Sequence, residues 1–321
     1  MLVATLTGVS SIQERRPGGP DGSFGKPAGQ VACDIGTAKG GSPPGLARPP
    51  VSSSTSPSLV LKTQGALVIV GGGNLPDAAR DRFLELAGGR KARLVVIPTA
   101  SGDIDSGEVA PSYLFWRSQE VASVELLHTR NPQQANDPAF VKPLESATGV
   151  WLGGGDQSRL TAAYQGTAVL RELRKVLERG GVIGGTSAGA SVMSSVMITG
   201  GTTHAELGSG FGLVPGMVVD QHFANRNRMG RLLGVLPRHP ELVGVGLDES
   251  TAVVIKGPTL SVLGAANVWV CLPASPALPV SVQRLRSGDQ IDLAGLTQTL
   301  IARNHPADKA TLTSATRTPQ H

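Results

Sequence analysis

Short β-branched runs that end in glycine, each answered by a helix-periodic segment, are the strongest constraint this sequence places on its own fold. "ALVIV" (66–70) runs into Gly71-Gly72-Gly73, then into "PDAARDRFLELAGG", which reads as a helix stopped by Gly88-Gly89. "RLVVIPTAS" (93–101), "ASVELLHT" (122–129) and "GVWLGGGDQ" (149–157) read as the next three strands. "TAVLRELRKVLERGG" (167–181) spaces Val169, Leu170, Leu173, Val176 and Leu177 along one helical face, and "GVIGG" follows as a fifth strand. Strands that alternate with helices at this interval require crossover connections, so the expectation is an α/β fold with a mainly parallel sheet. The later runs "LVGVGLDES", "TAVVIKG" and "LSVLGAANVWVC" are short, closely spaced strands suited to an antiparallel extension.

With only 3% aromatic residues, the core of such a sheet must be built from Val, Leu, Ile and Ala. Residues 1–62 cannot contribute to it on this reading. They are rich in Gly, Pro and Ser, lack periodicity and read as a disordered extension. A catalytic domain is expected over 63–304 and a polar tail over 305–321. The net charge of +5 lies in residues 1–62 and 303–321 and leaves 63–302 neutral. A nucleic-acid protein concentrates basic charge on a folded face, so that class is excluded. Cys33 and Cys271 form no redox or metal-spaced pair, and neither a metal nor a cofactor is expected. No apolar run reaches membrane-spanning length, and the start lacks a basic region before its apolar stretch, so the expected location is the cytoplasm.

Three glycine-rich turns follow strands: "GGGNLP", "GGGDQ" and "GGTSAGAS". Pro76 stands where a dinucleotide loop needs its third glycine, and no turn carries the Gly-Lys-Ser/Thr of a phosphate loop. Gly185-Thr186-Ser187-Ala188-Gly189 is different. It is G-x-S-x-G, the pattern in which a strand turns sharply into a helix and presents a serine hydroxyl. An ordinary capped strand-to-helix turn would have the same letters, so the rest of a serine site must be found.

A serine nucleophile needs a base, and the base needs an orienting carboxylate. His128, His239, His305 and His321 lie in unpromising contexts, which leaves His204 and His222. His222 follows the apolar "GMVVD" run and therefore stands at a strand end. For the acid, Glu206 in a glycine-rich loop, Asp220 two residues before the histidine, and Asp248-Glu249 in "GLDES" all remain open.

Four segments in order, "GGGDQSRL", "GGTSAGASVMS", "DQHFANRNRMGRL" and "GVGLDESTA", resemble the cyanophycinases and their relatives among the peptidase E-like serine peptidases (peptidase S51). "VIPTAS" (96–101) agrees, and the resemblance runs from about residue 66 to 270. It implies a three-layer α/β/α fold like that of class I glutamine amidotransferases, with the serine at the elbow. It further implies Ser187 as nucleophile, His222 as base and Glu206 as acid, with the amides of Gly155 and Ala188 holding the oxyanion. Substrate contacts would fall on Gln157, Asp220, Gln221, Arg226, Arg228 and Arg231. The implied reaction is the release of β-Asp-Arg dipeptides from cyanophycin, a polyaspartate bearing arginine on its β-carboxyls, without metal or cofactor. A dipeptidase of α-aspartyl or isoaspartyl substrates and a silent binding protein on the same scaffold are the alternatives, and a homodimer is the oligomer this reading allows.

Overall fold

The computed structural model describes residues 58–304. The polar tail, Cys33, His305, His321 and most of the N-terminal extension lie outside the described residues. The domain boundary expected at 62/63 is corrected by the segment just before it. Leu59 and Leu61 are buried, and their amides bond to the Thr297 hydroxyl and the Gly257 carbonyl. Apolar residues alternate there too briefly to be noticed in a sequence so rich in Ser and Pro.

The parallel strands are β1 (Ala66–Val70), β2 (Arg93–Ile97), β3 (Ser123–Leu126), β4 (Gly149–Leu152) and β5 (Val182–Thr186). Two smaller sheets use β6 (Val196–Gly200), β7 (Glu206–Ser209), β8 (Met217–Gln221), β9 (Val243–Leu247), β12 (Val268–Leu272) and β13 (Ser281–Leu285). The antiparallel strands β10 (Thr251–Lys256), β11 (Thr259–Gly264) and β14 (Gln290–Asp292) complete the large sheet, whose order is β14-β11-β10-β1-β5-β4-β2-β3. β10 and β11 are the expected antiparallel extension. β9 and β12 instead join a second sheet, β13-β12-β9-β8, in which β8 and β9 run parallel.

Helices cover both faces of the large sheet, which explains why its central strands β1 and β4 are apolar and buried at every position. Along β1, Leu67 and Ile69 face a core shared with α3 (Pro138–Ser146), α4 (Gln157–Tyr164) and α5 (Ala168–Glu178). Ala66, Val68 and Val70 face the opposite core, where Phe83 of α1 (Asp77–Ala87) and Trp116 of α2 (Pro111–Arg117) meet Trp151 of β4. The five apolar residues expected along α5 are all buried, and each contributes roughly 2 kcal/mol of transfer free energy. The result is an α/β sandwich in which β5 lies between β1 and β4. All three glycine-rich turns therefore leave from one edge of the sheet, at adjacent carboxyl ends of strands. That is where sites form in open α/β sheets.

Candidate active site

Ser187 joins β5 to the short helix α6 (Ala188–Ser191) with φ 52° and ψ −112°. For a residue with a Cβ that backbone is strained by about 1–3 kcal/mol, and it persists because its surroundings over-determine it. The Ser187 amide donates to the Val70 carbonyl at 3.1 Å, so the β1–β5 ladder holds the turn in place.

The hydroxyl so presented meets His222. Ser187 Oγ lies 2.9 Å from Nε2, and Nδ1 lies 2.6 Å from Glu249 Oε1. The consistent assignment has the hydroxyl donating to Nε2 and the Nδ1–H donating to the carboxylate. His222 also has positive φ (50°), and its amide donates to the Gly71 carbonyl at 2.7 Å. Gly72 forms the floor beneath the ring. A Cβ there would stand 2.3 Å from His222 Cε1, so only glycine lets the imidazole lie in this position.

Glu206, expected as the acid, is not the carboxylate that meets His222. Glu206 sits exposed on β7, folded over its cross-strand partner Gly200, and makes no contact with His222. Glu249 is there because β8 and β9 pair in parallel with Gln221 opposite Leu247, which puts the residues just beyond both strands side by side. Asp248, beside it, has a local task instead. Its buried carboxylate accepts from the amides of Ala224 and Asn267 and from the Trp269 indole, pinning the loop after His222. Asn225 Oδ1 takes the Glu249 amide at 3.1 Å and ties the same two loops again.

Burial pulls the pKa of His222 below the ordinary 6.5, and the positive charges of Arg226 and Arg228 act in the same direction. The bond to Glu249 opposes them. The imidazole is therefore neutral at neutral pH and able to accept a proton. Cys271 cannot compete as a nucleophile, because burial pushes its thiol up to about 12.

A cavity of about 440 Å³ opens beside Ser187, lined among others by Gly155, Gln157, Gln221 and the three arginines. The β4–α4 loop borders the serine: a Cβ on Gly154 would lie 3.6 Å from that of Ser187. Among the described residues, the amides of Gly155 and Ala188 have no backbone acceptor, so both remain free to donate.

The expected substrate contacts divide. Asp220 is fully buried and does not line the cavity. Arg231 binds it with two parallel hydrogen bonds, Nε to Oδ2 at 2.7 Å and Nη2 to Oδ1 at 2.5 Å, and Arg228 adds a third at 3.3 Å. The expectation for Asp220 is corrected, since its carboxylate is enclosed, whereas Arg231 lines the cavity with its fork engaged by Asp220 and by the Gly201 carbonyl. Gln157 gives its amide hydrogens to the carbonyls of Ile198 and Thr199, and Gln221 Oε1 accepts from Arg228. Arg226 stands apart. It is exposed and, among the described residues, its side chain has no ion-pair or hydrogen-bond partner.

A model of peptidase family S51 matches residues 66–263, the stretch that carries Ser187, His222 and Glu249. The chain belongs to peptidase family S51. This S51 peptidase is 36% identical over 225 residues to the cyanophycinase of Nostoc sp. (strain PCC 7120 / SAG 25.82 / UTEX 2576), covering 66% of this chain and 74% of that protein. It is 37% identical over 224 residues to the cyanophycinase of Synechococcus elongatus, covering 65% and 69%. Its fold is similar to the crystal structure of a peptidase from an acI-B1 Actinobacterium, with a TM-score of 0.55 and 23% identity over 74% of this chain and 98% of that one. No helix among the described residues is long and apolar enough to cross a membrane.

Proposed function

We propose that this S51 peptidase hydrolyses cyanophycin to β-Asp-Arg dipeptides through an acyl-enzyme on Ser187. The observation that carries the reading is the hydrogen-bonded series Ser187–His222–Glu249, opening onto a cavity lined by the exposed Arg226. His222 Nε2 takes the Ser187 proton as Oγ attacks the backbone carbonyl of the polyaspartate. Glu249 keeps the second ring nitrogen protonated and stabilises the imidazolium that forms. The carbonyl electrons move onto oxygen, which the amides of Gly155 and Ala188 receive, each such donor contributing on the order of 100- to 1000-fold. The imidazolium then gives its proton to the leaving amine, and water attacks the ester by the same route in reverse.

Relatives named cyanophycinase support the polymer as substrate. So does the charge of the cavity: the arginine branch and the chain end of cyanophycin both carry carboxylates, and Arg226 can bind one with two parallel hydrogen bonds. Incubating purified protein with cyanophycin and identifying the products by mass spectrometry tests the proposal. β-Asp-Arg must appear with wild type and not with Ser187→Ala. Cleavage of α-aspartyl or isoaspartyl dipeptides in preference to polymer would replace the substrate while keeping the mechanism.

A further inference from the structure

The β4–α4 loop, whose Gly155 lines the cavity, does not set its own shape; it is moulded on the turn that follows β2. Gly153 donates to the Ile97 carbonyl at 3.0 Å and Asp156 to the Ala100 carbonyl at 2.9 Å. Between them Gly155 has φ 134°, and a Cβ there would stand 2.1 Å from the Ala100 oxygen. The two backbones are in contact, so a shift of Ala100 moves the Gly155 amide.

Residue 130 secures that turn from outside. The Arg130 guanidinium donates through Nη1 to the Thr99 carbonyl and through Nη2 to the Ser101 carbonyl at 2.6 Å, gripping the chain on both sides of buried Ala100. Its remaining donors engage Asp105, with Nη2 to Oδ2 at 2.9 Å and Nε to Oδ1 at 3.1 Å. Behind the turn, the Thr99 hydroxyl bonds to Tyr164 at 2.7 Å and to His128 Nδ1 at 2.9 Å. The ion pair with Asp105 is half-exposed and by itself worth little. The grip on the carbonyls at either side of Ala100 is what an ion pair alone does not need.

We infer that Arg130 is a positioning residue for the oxyanion site, setting the Gly155 amide through the Thr99–Ser101 turn. The inference rests on the proposed function, in which that amide receives the developing oxyanion. A displaced donor weakens binding of the tetrahedral state more than of the substrate, so the loss belongs in kcat rather than KM. Lysine, whose donors all sit on one nitrogen, cannot span the separate contacts that Nε, Nη1 and Nη2 make to two carbonyls and a carboxylate.

Kinetics of Arg130→Lys and Arg130→Ala on cyanophycin, with melting temperatures, supply the test. The expected result is kcat lower by roughly 10- to 100-fold with KM within about twofold. A boronate analogue of the substrate, whose tetrahedral adduct places an oxygen in the same site, should lose affinity by the same factor. Added guanidinium ion should restore part of the Arg130→Ala activity. Wild-type kcat in either folded variant, or a loss confined to KM with unchanged boronate affinity, overturns the inference. So does failure of both variants to fold, which would make Arg130 a residue of the fold alone. Ser187→Ala in the same assay separates the two readings: turnover there sinks the mechanism itself, whereas an inactive Ser187→Ala beside fully active Arg130 variants sinks only this inference.

Discussion

Nδ1 of His222 and Oε1 of Glu249 lie 2.6 Å apart although 27 residues separate them in the chain. The parallel pairing of β8 with β9 closes that gap, since it ends both strands at the same level. The consequence for activity is direct. Glu249→Gln should leave the protein folded and cut kcat by roughly 10⁴-fold, because the amide no longer selects the Nδ1–H tautomer. Glu206→Gln should stay within a few-fold of wild type. Steady-state kinetics of the two variants side by side decide between them, and the opposite ranking would return the acid's role to β7.

The arginines that follow His222 should separate into binding and architecture. Arg226→Lys should raise KM about tenfold, or about 1.4 kcal/mol, with little change in melting temperature. Arg231→Met strands the buried Asp220 carboxylate with only the longer Arg228 bond and should cost about 3 kcal/mol of stability. Denaturant titration alongside kinetics reads both. An Arg226→Lys variant with wild-type KM would mark that guanidinium as ordinary surface charge.

The acid limb of kcat/KM should fall below pH 6.5, because burial and two nearby arginines hold His222 neutral down to lower pH than a free histidine. Neighbouring charges give the sign of each variant's shift. Arg226→Gln removes a positive charge that disfavours the imidazolium, so the His222 pKa should rise. Glu249→Gln removes the partner that favours it, so the pKa should fall. NMR titration of the ring in both variants measures the two shifts, and shifts in the same direction would contradict this account.

Gly72→Ala should be among the most damaging small substitutions at the site. The new methyl would overlap the His222 ring, and φ of 101° is itself unfavourable for alanine. A displacement of the base by about 1 Å is enough for roughly 100-fold in rate. A crystal structure of the variant with the ring unmoved and full activity would refute the role given to this floor.

Ser187 and His222 were legible in the chain because their signals are local. The elbow needs small residues within two positions of the serine, and the histidine follows directly from an apolar strand. The layers of the large sheet were legible for the same reason, since the strand and helix periods of β1, β4 and α5 are written in consecutive residues. Glu249 was only one of several open acids. Nothing near it in sequence records that β9 lies parallel beside β8, and the glycine-rich loop around Glu206 looked freer to approach. The roles of Asp220 and Arg231 were hidden in the same way. Their residue types suit a substrate, and only the folded chain shows that the buried Asp220 carboxylate is held by the Arg231 fork. The sequence by itself determined the chemistry on offer: a serine on a strained turn, a base at a strand end and a run of arginines. Tertiary structure decided which carboxylate meets His222, which arginine side chain has no partner among the described residues and which turn the Gly155 loop is laid against. Each of those depends on contacts between segments far apart in the chain, and their geometry exists only once the sheets have paired.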